Sequence, residues 1–426
     1  MIEPIVILPQ YYAERIVRCR KDYGLLYTRV DEKDDVFLVD GFTKGQRDGQ
    51  QKGGSQAAEM HFAAQAQMET RAVWYRAEPE LHLYGMDGRR RSGALPLDTF
   101  KAGLHGSWIG LTRGALQLCV TYAEVEDDLH DWRAWILSED RGLAQITDIQ
   151  VVDEEIDLLA PLREHWPLHE LADAHVVVLG AGSIGSHAND ALVSYGIRRL
   201  SLVDPDRLLK RNFARHRSHT SQIGRFKVHA EHDRLLHRDA ALTIDALPLD
   251  VIYDADVMRP LFAEADIVIV TSDGIDSRRT ANHLARRAGT PAIFACVLAN
   301  GAYGEILRIT PAVGCLLCAR ADLRERGGIA PEATLDRGYG TGTRHLPMTA
   351  VTGDLGLVGQ LAAKAAVATL LEPKGFRDQR LPGDHAVVGL RPLPGKHAPF
   401  NLEEAGAVSW AAIPAARSEC PTCGRS

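Results

Sequence analysis

The chain has 426 residues, room for two or three domains, and its 45% hydrophobic and 25% charged residues are the balance of an ordinary globular protein. A formal net charge of −7 and a pI near 6.2 exclude a protein that coats polyanions and argue against nucleic acid as a main partner. Seven cysteines are too few for a disulfide scaffold, but four of them form two Cys-x-x-Cys pairs, a pattern that points to metal or redox chemistry in a cytoplasmic protein.

The opening MIEPIVILPQ soon meets charges, so no signal peptide is expected. No apolar stretch is read as reaching the roughly 20 residues that cross a bilayer, so no membrane partner is expected. Residues 1–165 are read as an α+β recognition domain, with Trp74, Trp108 and Trp132 marking a core. It carries no catalytic motif: the histidines of EMHFAAQAQ and ELHLYG sit beside apolar residues, where a packed histidine is the ordinary reading. The Gly/Gln/Lys-rich residues 40–58 read as an exposed loop.

Composition changes across residues 153–174, and the alternation of a second domain, 166–426, begins there. HVVVLG is a continuous apolar run, as a strand buried on both faces of a parallel sheet must be. SIGSHANDALVSYG follows as a helix, with Ile184, Ala188, Ala191 and Leu192 near helical spacing and Gly196 as its C-terminal cap. RLSLVD, ADIVIVTSD and PAIFACVLA read as further strands, and DLGLVGQLAAKAAVATLL as a long apolar helix. The fold class expected is α/β: a Rossmann-like domain with a mostly parallel sheet behind an α+β N-terminal domain.

Gly180, Gly182 and Gly185 form Gly-x-Gly-x-x-Gly between the first of these strands and its helix. The first glycine permits the tight turn, the second lets backbone approach phosphate, and the third lets helix and strand pack closely. Free N–H groups at the helix start then face an anion. Asp204, ending the next strand, stands where a carboxylate accepts hydrogen bonds from ribose. A dehydrogenase would fit this much, but the chain beyond Asp204 leaves that pattern.

It runs VDPDRLLKRNFARHRSHTSQIGRFKVHA. Asp204-x-Asp206, Asn212, Arg215 and Gly224-Arg-Phe-Lys227-Val, followed by Asp273 and Arg278 in VTSDGIDSR, resemble the HesA/MoeB/ThiF family, the adenylating domain shared with ubiquitin-activating enzymes. The resemblance covers about residues 170–426. It implies that ATP is bound with Asp204 on ribose, Asp206 ordering the site, Asn212, Arg215 and Lys227 on the phosphates, and Asp273 holding Mg²⁺. The chemistry agrees: an activated carboxylate needs donors and positive charge around the α-phosphorus as pyrophosphate leaves. Each residue also has a plainer reading. RNFARHRSH resembles a solvated basic face, and Asp206 would serve as a cap.

Cys315-x-x-Cys318 and Cys420-x-x-Cys423 complete the resemblance, and four thiolates suit one structural tetrahedral Zn²⁺ that would pin the C-terminal tail. Many relatives carry a further cysteine, after the first pair, that forms a thioester. Here that stretch has none, and its residues 322–345 read as a loop over the acyl site. Cys119 and Cys296 read as small core residues, and Cys19 has cationic neighbours. Relatives that dimerise send an arginine to the other subunit's ATP; Arg163 is the counterpart in PLREHWPLHEL.

The resemblance therefore implies an ATP-dependent adenylyltransferase that activates the C-terminal carboxylate of a ubiquitin-like or sulfur-carrier-like protein ending in Gly-Gly. A homodimer, a conjugating enzyme as partner and a bacterial conjugation setting go with it. The alternatives are adenylation of a peptide, dehydration of a modified tRNA base, and a nucleotide-binding scaffold without turnover.

Overall fold

The computed structural model describes residues 4–19, 21–31, 35–43, 68–83, 93–109, 116–126, 129–153, 158–298, 300–328 and 350–424. The chain divides into two compact units, 1–157 and 158–426.

The first unit runs β1 (Ile5–Pro9), α1 (Gln10–Arg18), β2 (Tyr23–Asp31), β3 (Val36–Phe42), β4 (Met68–Arg76), α2 (Pro79–Leu83), β5 (Ala94–Pro96), α3 (Leu97–Ala102), β6 (Leu116–Glu126), β7 (Leu129–Ser138) and β8 (Leu143–Val152). The strands pair in the order β1-β3-β2-β4-β6-β7-β8-β5. β1 also pairs in parallel with β8, Ile5 opposite Asp148 and Pro9 opposite Val152, so the ladder closes on itself and β5 attaches beside β8. Closure removes the open edges at which a sheet would pair with other chains. The two faces bury separate cores. Val6, Leu8, Leu26, Phe42, Trp74 and Val120 pack with Tyr12 and Ile16 of α1. Val73, Tyr75, Cys119, Trp135 and Leu137 pack with Leu81 of α2 and Phe100 of α3. The alternation of Val73, Trp74 and Tyr75 between these cores is the strand period of two.

The second unit runs α4 (Leu168–Ala172), β9 (His175–Leu179), α5 (Ser183–Tyr195), β10 (Arg199–Val203), α6 (Lys227–Arg238), β11 (Thr243–Leu247), α7 (Ala255–Glu264), β12 (Ile267–Val270), α8 (Ile275–Ala288), β13 (Ala292–Leu298), β14 (Tyr303–Ile309), α9 (Leu316–Glu325), α10 (Thr352–Leu371), β15 (His385–Gly389) and β16 (Val408–Ala411). The sheet order is β11-β10-β9-β12-β13-β14-β15-β16. The pairings from β11 through β13 are parallel, and those from β13 through β16 are antiparallel. This is the expected α/β fold. Val176 and Val178 face a core shared with α5 and α10, while Val177 and Leu179 face one shared with α7, α8 and α9. Cover on both faces is why these strands are apolar without alternation. α5 ends where expected, at Gly196 with φ +103°.

Three expectations need correction. α10 is long and apolar enough to cross a membrane by length and composition. Its apolar surface is spent in the core: 67% of that window is buried, and Gly359 lies so close to α5 that a Cβ would stand 2.5 Å from the Ile184 carbonyl oxygen. The loop expected from residue 322 starts later, because the good helix formers of ARADLRE extend α9 to Glu325; residues 329–345 lie outside the described residues. Residues 40–42 belong to β3 rather than to a loop, and 44–58 lie outside the described residues.

Register positions the site. Val203 and Val270 both stand opposite Leu179, so Gly180, Asp204 and Thr271 emerge side by side at the C-terminal edge of the parallel strands. That edge, where neighbouring connections leave on opposite faces, is where open α/β sheets bind ligands.

Candidate nucleotide site

The three glycines of the β9–α5 turn are glycine for different reasons. Gly180 has φ +101°, and a Cβ there would lie 2.8 Å from Thr271 Oγ1. A Cβ on Gly185 would lie 1.9 Å from the Gly180 carbonyl oxygen. Both are required by packing between turn, helix and β12. At Gly182 the nearest atom to an added Cβ is His216 Nε2, at 3.9 Å. That is an ordinary van der Waals contact and the only one within 4 Å among the described residues, so this side of the turn is far less crowded than at the other two glycines. The first amides of α5 have no partner within the helix and point the same way.

Asp204 fastens the turn. Its carboxylate is 7% exposed and accepts from Ala181 N–H at 2.9 Å and Asp206 N–H at 2.8 Å. Burial raises its pKa, against the opposing pull of Lys227. Lys227, the first residue of α6, places Nζ 2.7 Å from Asp206 Oδ2 and 3.5 Å from Asp204 Oδ2. Burial favours its neutral amine, but Asp204, Asp206 and Asp273 together lift its pKa above the ordinary lysine value. Lys227 is thus a buried, fully charged cation. Asp206 does not cap a helix; it orders Lys227, with its own backbone carbonyl accepting from Lys227 N–H.

Asn212 is buried in the short 3₁₀ turn Lys210–Ala214, and its Oδ1 accepts from Leu209 N–H at 2.7 Å. Its carbonyl oxygens thereby organise the loop that carries Arg215 and His216, both of whose amides donate to the Asn212 backbone oxygen. Arg215 is not on a solvated face: its Nε is buried and has no hydrogen-bond partner among the described residues. His216 was not singled out by the sequence, because a histidine inside RNFARHRSH carries no local mark of burial. It is 9% exposed, and its only signal was the position next to Arg215.

Asp273 follows β12 and is exposed, close enough to Lys227 to act on its charge. The segment around it is fixed by Ser277 Oγ donating to Ser272 Oγ and by Arg278 Nε donating to the Ser272 carbonyl oxygen, at 2.8 and 2.7 Å. The loops therefore gather Gly182, Asp204, Asp206, Lys227 and Asp273 at one edge, with Arg215 and Lys227 both acting on His216. Arg163 is exposed and directly follows the 3₁₀ turn Ala160–Leu162.

The four paired cysteines converge. Their Sγ atoms lie within 4.8 Å of one another, with Cys315–Cys420 at 3.5 Å and Cys318–Cys423 at 3.3 Å. A tetrahedral zinc with bonds of about 2.3 Å holds its sulfurs about 3.8 Å apart, so the cluster fits that ion. Arg417 N–H points at Cys318 Sγ, 3.4 Å away. The tail is fastened twice, by this cluster and by β16 on the sheet edge. Cys119 and Cys296 are buried, and burial raises both thiol pKa values; Cys19 is half-buried. None of the three is an exposed thiolate.

A sequence model of the ThiF family matches residues 154–380, more than half of the chain. The chain belongs to the ThiF family. Its similar relatives include the SAMP-activating enzyme E1 of Haloferax volcanii, 27% identical over 213 residues, 50% of this chain and 72% of the relative. The sulfur carrier protein ThiS adenylyltransferase of Bacillus subtilis is 28% identical over 158 residues, 35% of this chain and 46% of that one. The molybdopterin-synthase adenylyltransferase of Salmonella typhimurium is 31% identical over 124 residues, 29% and 49% of the two chains. The ThiF-family chain thus spans about half the length of two of these relatives. Among solved structures it is similar to E. coli MccB with ATP, at a TM-score of 0.44 and 18% identity over 60% of this chain and 68% of that one.

Proposed function

We propose that residues 158–426 form an ATP-dependent adenylyltransferase acting on the C-terminal carboxylate of a ubiquitin-like or sulfur-carrier-like protein ending in Gly-Gly. The observation that carries this reading is a pair of cations at an uncrowded glycine turn: Lys227, buried and held charged by carboxylates, and Arg215, whose buried Nε lacks a partner among the described residues. A site for a nicotinamide dinucleotide needs no such pair; a triphosphate does. The names of the relatives, activating enzymes for small carrier proteins, favour the same substrate class.

The phosphates rest on the backbone of Gly182 and the first amides of α5. Arg215 and Lys227 bring positive charge to them, and Asn212 reaches them with its amide nitrogen while its oxygen holds the loop. Asp204 locks the turn through Ala181 and keeps its remaining lone pairs for ribose hydroxyls. Asp206 sets the height of Lys227. Asp273 is the free carboxylate suited to Mg²⁺, which keeps several waters and binds through one or two carboxylates plus phosphate oxygens; bound there, the ion neutralises phosphate charge.

The substrate carboxylate attacks the α-phosphorus, the bond from that phosphorus to the bridging oxygen breaks, and pyrophosphate leaves with the electron pair. The product is a mixed anhydride of acyl group and AMP. The protein supplies alignment and fixed charge where negative charge shifts toward the leaving oxygens. Cys318 and Cys420 have no cysteine between them, so the acyl group passes to a nucleophile outside this chain rather than to a thioester of its own. The four paired cysteines hold zinc as a structural ion.

ATP–pyrophosphate exchange tests the reading. Exchange should depend on a Gly-Gly-ended carrier protein, and Asp273→Ala should reduce it by about 10²–10³-fold, the cost of removing one fixed element of charge stabilisation. ATP binding without exchange for any carboxylate substrate leaves a scaffold instead, and near-normal exchange in the variant removes Asp273 from its role.

A further inference from the structure

His216 is built into the phosphate end of the site and is absent from the roles above. Its amide donates to the Asn212 carbonyl oxygen at 2.9 Å, which fixes the ring beside Arg215. The residue is buried. Nδ1 is buried and has no hydrogen-bond partner among the described residues, whereas Nε2 is the atom nearest to where a Cβ on Gly182 would stand, 3.9 Å away.

Those facts decide where the proton sits. A buried N–H without an acceptor is rarer and costlier than a buried bare lone pair. Nδ1 is therefore the unprotonated nitrogen, and Nε2 carries the hydrogen, aimed at the turn. A second proton would have to go to Nδ1, where nothing accepts it. Burial first, then the charges that face the ring, push its pKa down to about 3: Lys227 from α6, Arg215 from its own loop and His187 from α5. None of these neighbours is a carboxylate.

We propose that His216 is a positioning residue that donates one hydrogen bond, from Nε2 as a neutral imidazole, to a non-bridging oxygen of the nucleotide phosphate on the glycine turn. This deepens the adenylation reading and rests on its assignment of the turn to phosphate. A neutral donor adds direction without adding a third positive charge next to Arg215 and Lys227. In the free chain, burial and the facing cations keep the ring neutral down to about pH 3.

The test uses the full chain labelled with ¹⁵N-histidine. In the free protein, His216 should show the Nε2–H tautomer and no titration down to pH 5; adding ATP, or inorganic pyrophosphate with Mg²⁺, should shift its Nε2 resonance. His216→Phe should weaken ATP binding about 10-fold, the loss of about 1.4 kcal/mol from one well-made hydrogen bond. His216→Gln, which retains an N–H donor, should bind within about threefold of the parent, and both variants should keep the parental pH profile of binding between pH 5 and 8. A ring that titrates near the ordinary histidine value, a Phe variant that binds ATP as the parent does, or a Gln variant no better than Phe overturns the proposal. Because the readout is binding, it separates from exchange: ATP binding with these effects but no exchange sinks the adenylation reading and leaves His216 in place. A parent chain that binds neither ATP nor pyrophosphate ends both.

Discussion

His82 in the N-terminal ring and His216 in the α/β unit are 2% and 9% exposed, yet their surroundings are opposite. His82 Nδ1 lies 3.0 Å from Asp131 Oδ2 and its Nε2 lies 2.8 Å from Thr121 Oγ1, while Trp135 Nε1 donates to the same hydroxyl at 2.9 Å. With that donor arriving, Thr121 gives its own proton to His82 Nε2, and the imidazole gives its Nδ1 proton to Asp131. Hydroxyl, imidazole and carboxylate are connected as in a nucleophile–base pair, but Thr121 has no exposed surface, so no substrate meets it. The trio is a strut between α2, β6 and β7. Glu305 is treated in the same way: against the upward push of burial, Arg320 and His385 hold its carboxyl far below the usual range, so a fully buried charge is fully partnered. His216 Nδ1, Arg215 Nε and the four clustered thiols differ: among the described residues the two nitrogens have no partner, and the thiols face one another. Partnered groups such as His82 and Glu305 hold the fold; an unpartnered one marks a site only with a further observation beside it, since His175 Nδ1, Asn189 Oδ1 and Asn282 Nδ2 are also buried without a partner.

The largest expected effect removes what the thiols bind. Purified protein should contain about one zinc per chain, and Cys420→Ser should bring that close to zero. The variant should lose several kcal/mol of stability, a part of the roughly 10–16 kcal/mol that structural zinc supplies to small domains. Metal analysis with thermal melting checks this. Full stability without zinc would place the cysteines with the self-satisfied groups and break the contrast.

The glycine turn gives an effect of intermediate size. Gly185→Ala drives a methyl against the Gly180 carbonyl oxygen and should cost about 2–3 kcal/mol of stability whatever is bound. Gly182→Ala meets nothing closer than 3.9 Å, so it should melt close to the parent and instead weaken ATP binding, because its methyl occupies the ligand's place. Denaturant unfolding and ATP titration of the two variants separate packing from binding within one motif. Equal losses in both would mean that Gly182 also serves packing.

The uneven legibility of the sequence follows from the same physics. β9, α5, β10, β12 and β13 are readable because a strand buried on both faces is a continuous apolar run and a glycine turn punctuates it. Asp204 and Asp273 are readable as candidates because each closely follows such a run, in β10 and β12 respectively. The ring closure is not readable: it joins Ile5–Pro9 to Asp148–Val152, and no local pattern encodes a partner so distant in sequence. α10 is readable as a long apolar helix, and its composition alone does not say that it is buried in the core, since a helix packed between layers is as apolar as one in lipid. His216 is invisible for a third reason. Its role comes from burial and a missing partner, which are properties of packing, and its neighbours in sequence are mostly polar.

The smallest expected effect lies in the satisfied histidine. Thr121→Val keeps the shape of the side chain but leaves His82 Nε2 and Trp135 Nε1 without a partner, deep in the ring core. The cost should be about 1–3 kcal/mol, that of leaving buried polar groups unpaired. ATP binding and pyrophosphate exchange should not change, because Thr121 is fully buried in the core of the first unit. His216→Gln should differ from it in how its stability depends on pH. In the parent, the unfolded chain takes up a proton at His216 near pH 6.5 that the folded chain refuses until about pH 3. Folding stability contributed at this residue therefore falls as pH drops through that window, and the glutamine variant is spared this loss. Melting curves of parent and variant from pH 7 to pH 4 should converge or cross in favour of the variant at the acid end, while Thr121→Val stays below the parent by a nearly constant margin. A constant gap for both variants would mean that the two histidines are buried on the same terms, and the contrast between them would be gone.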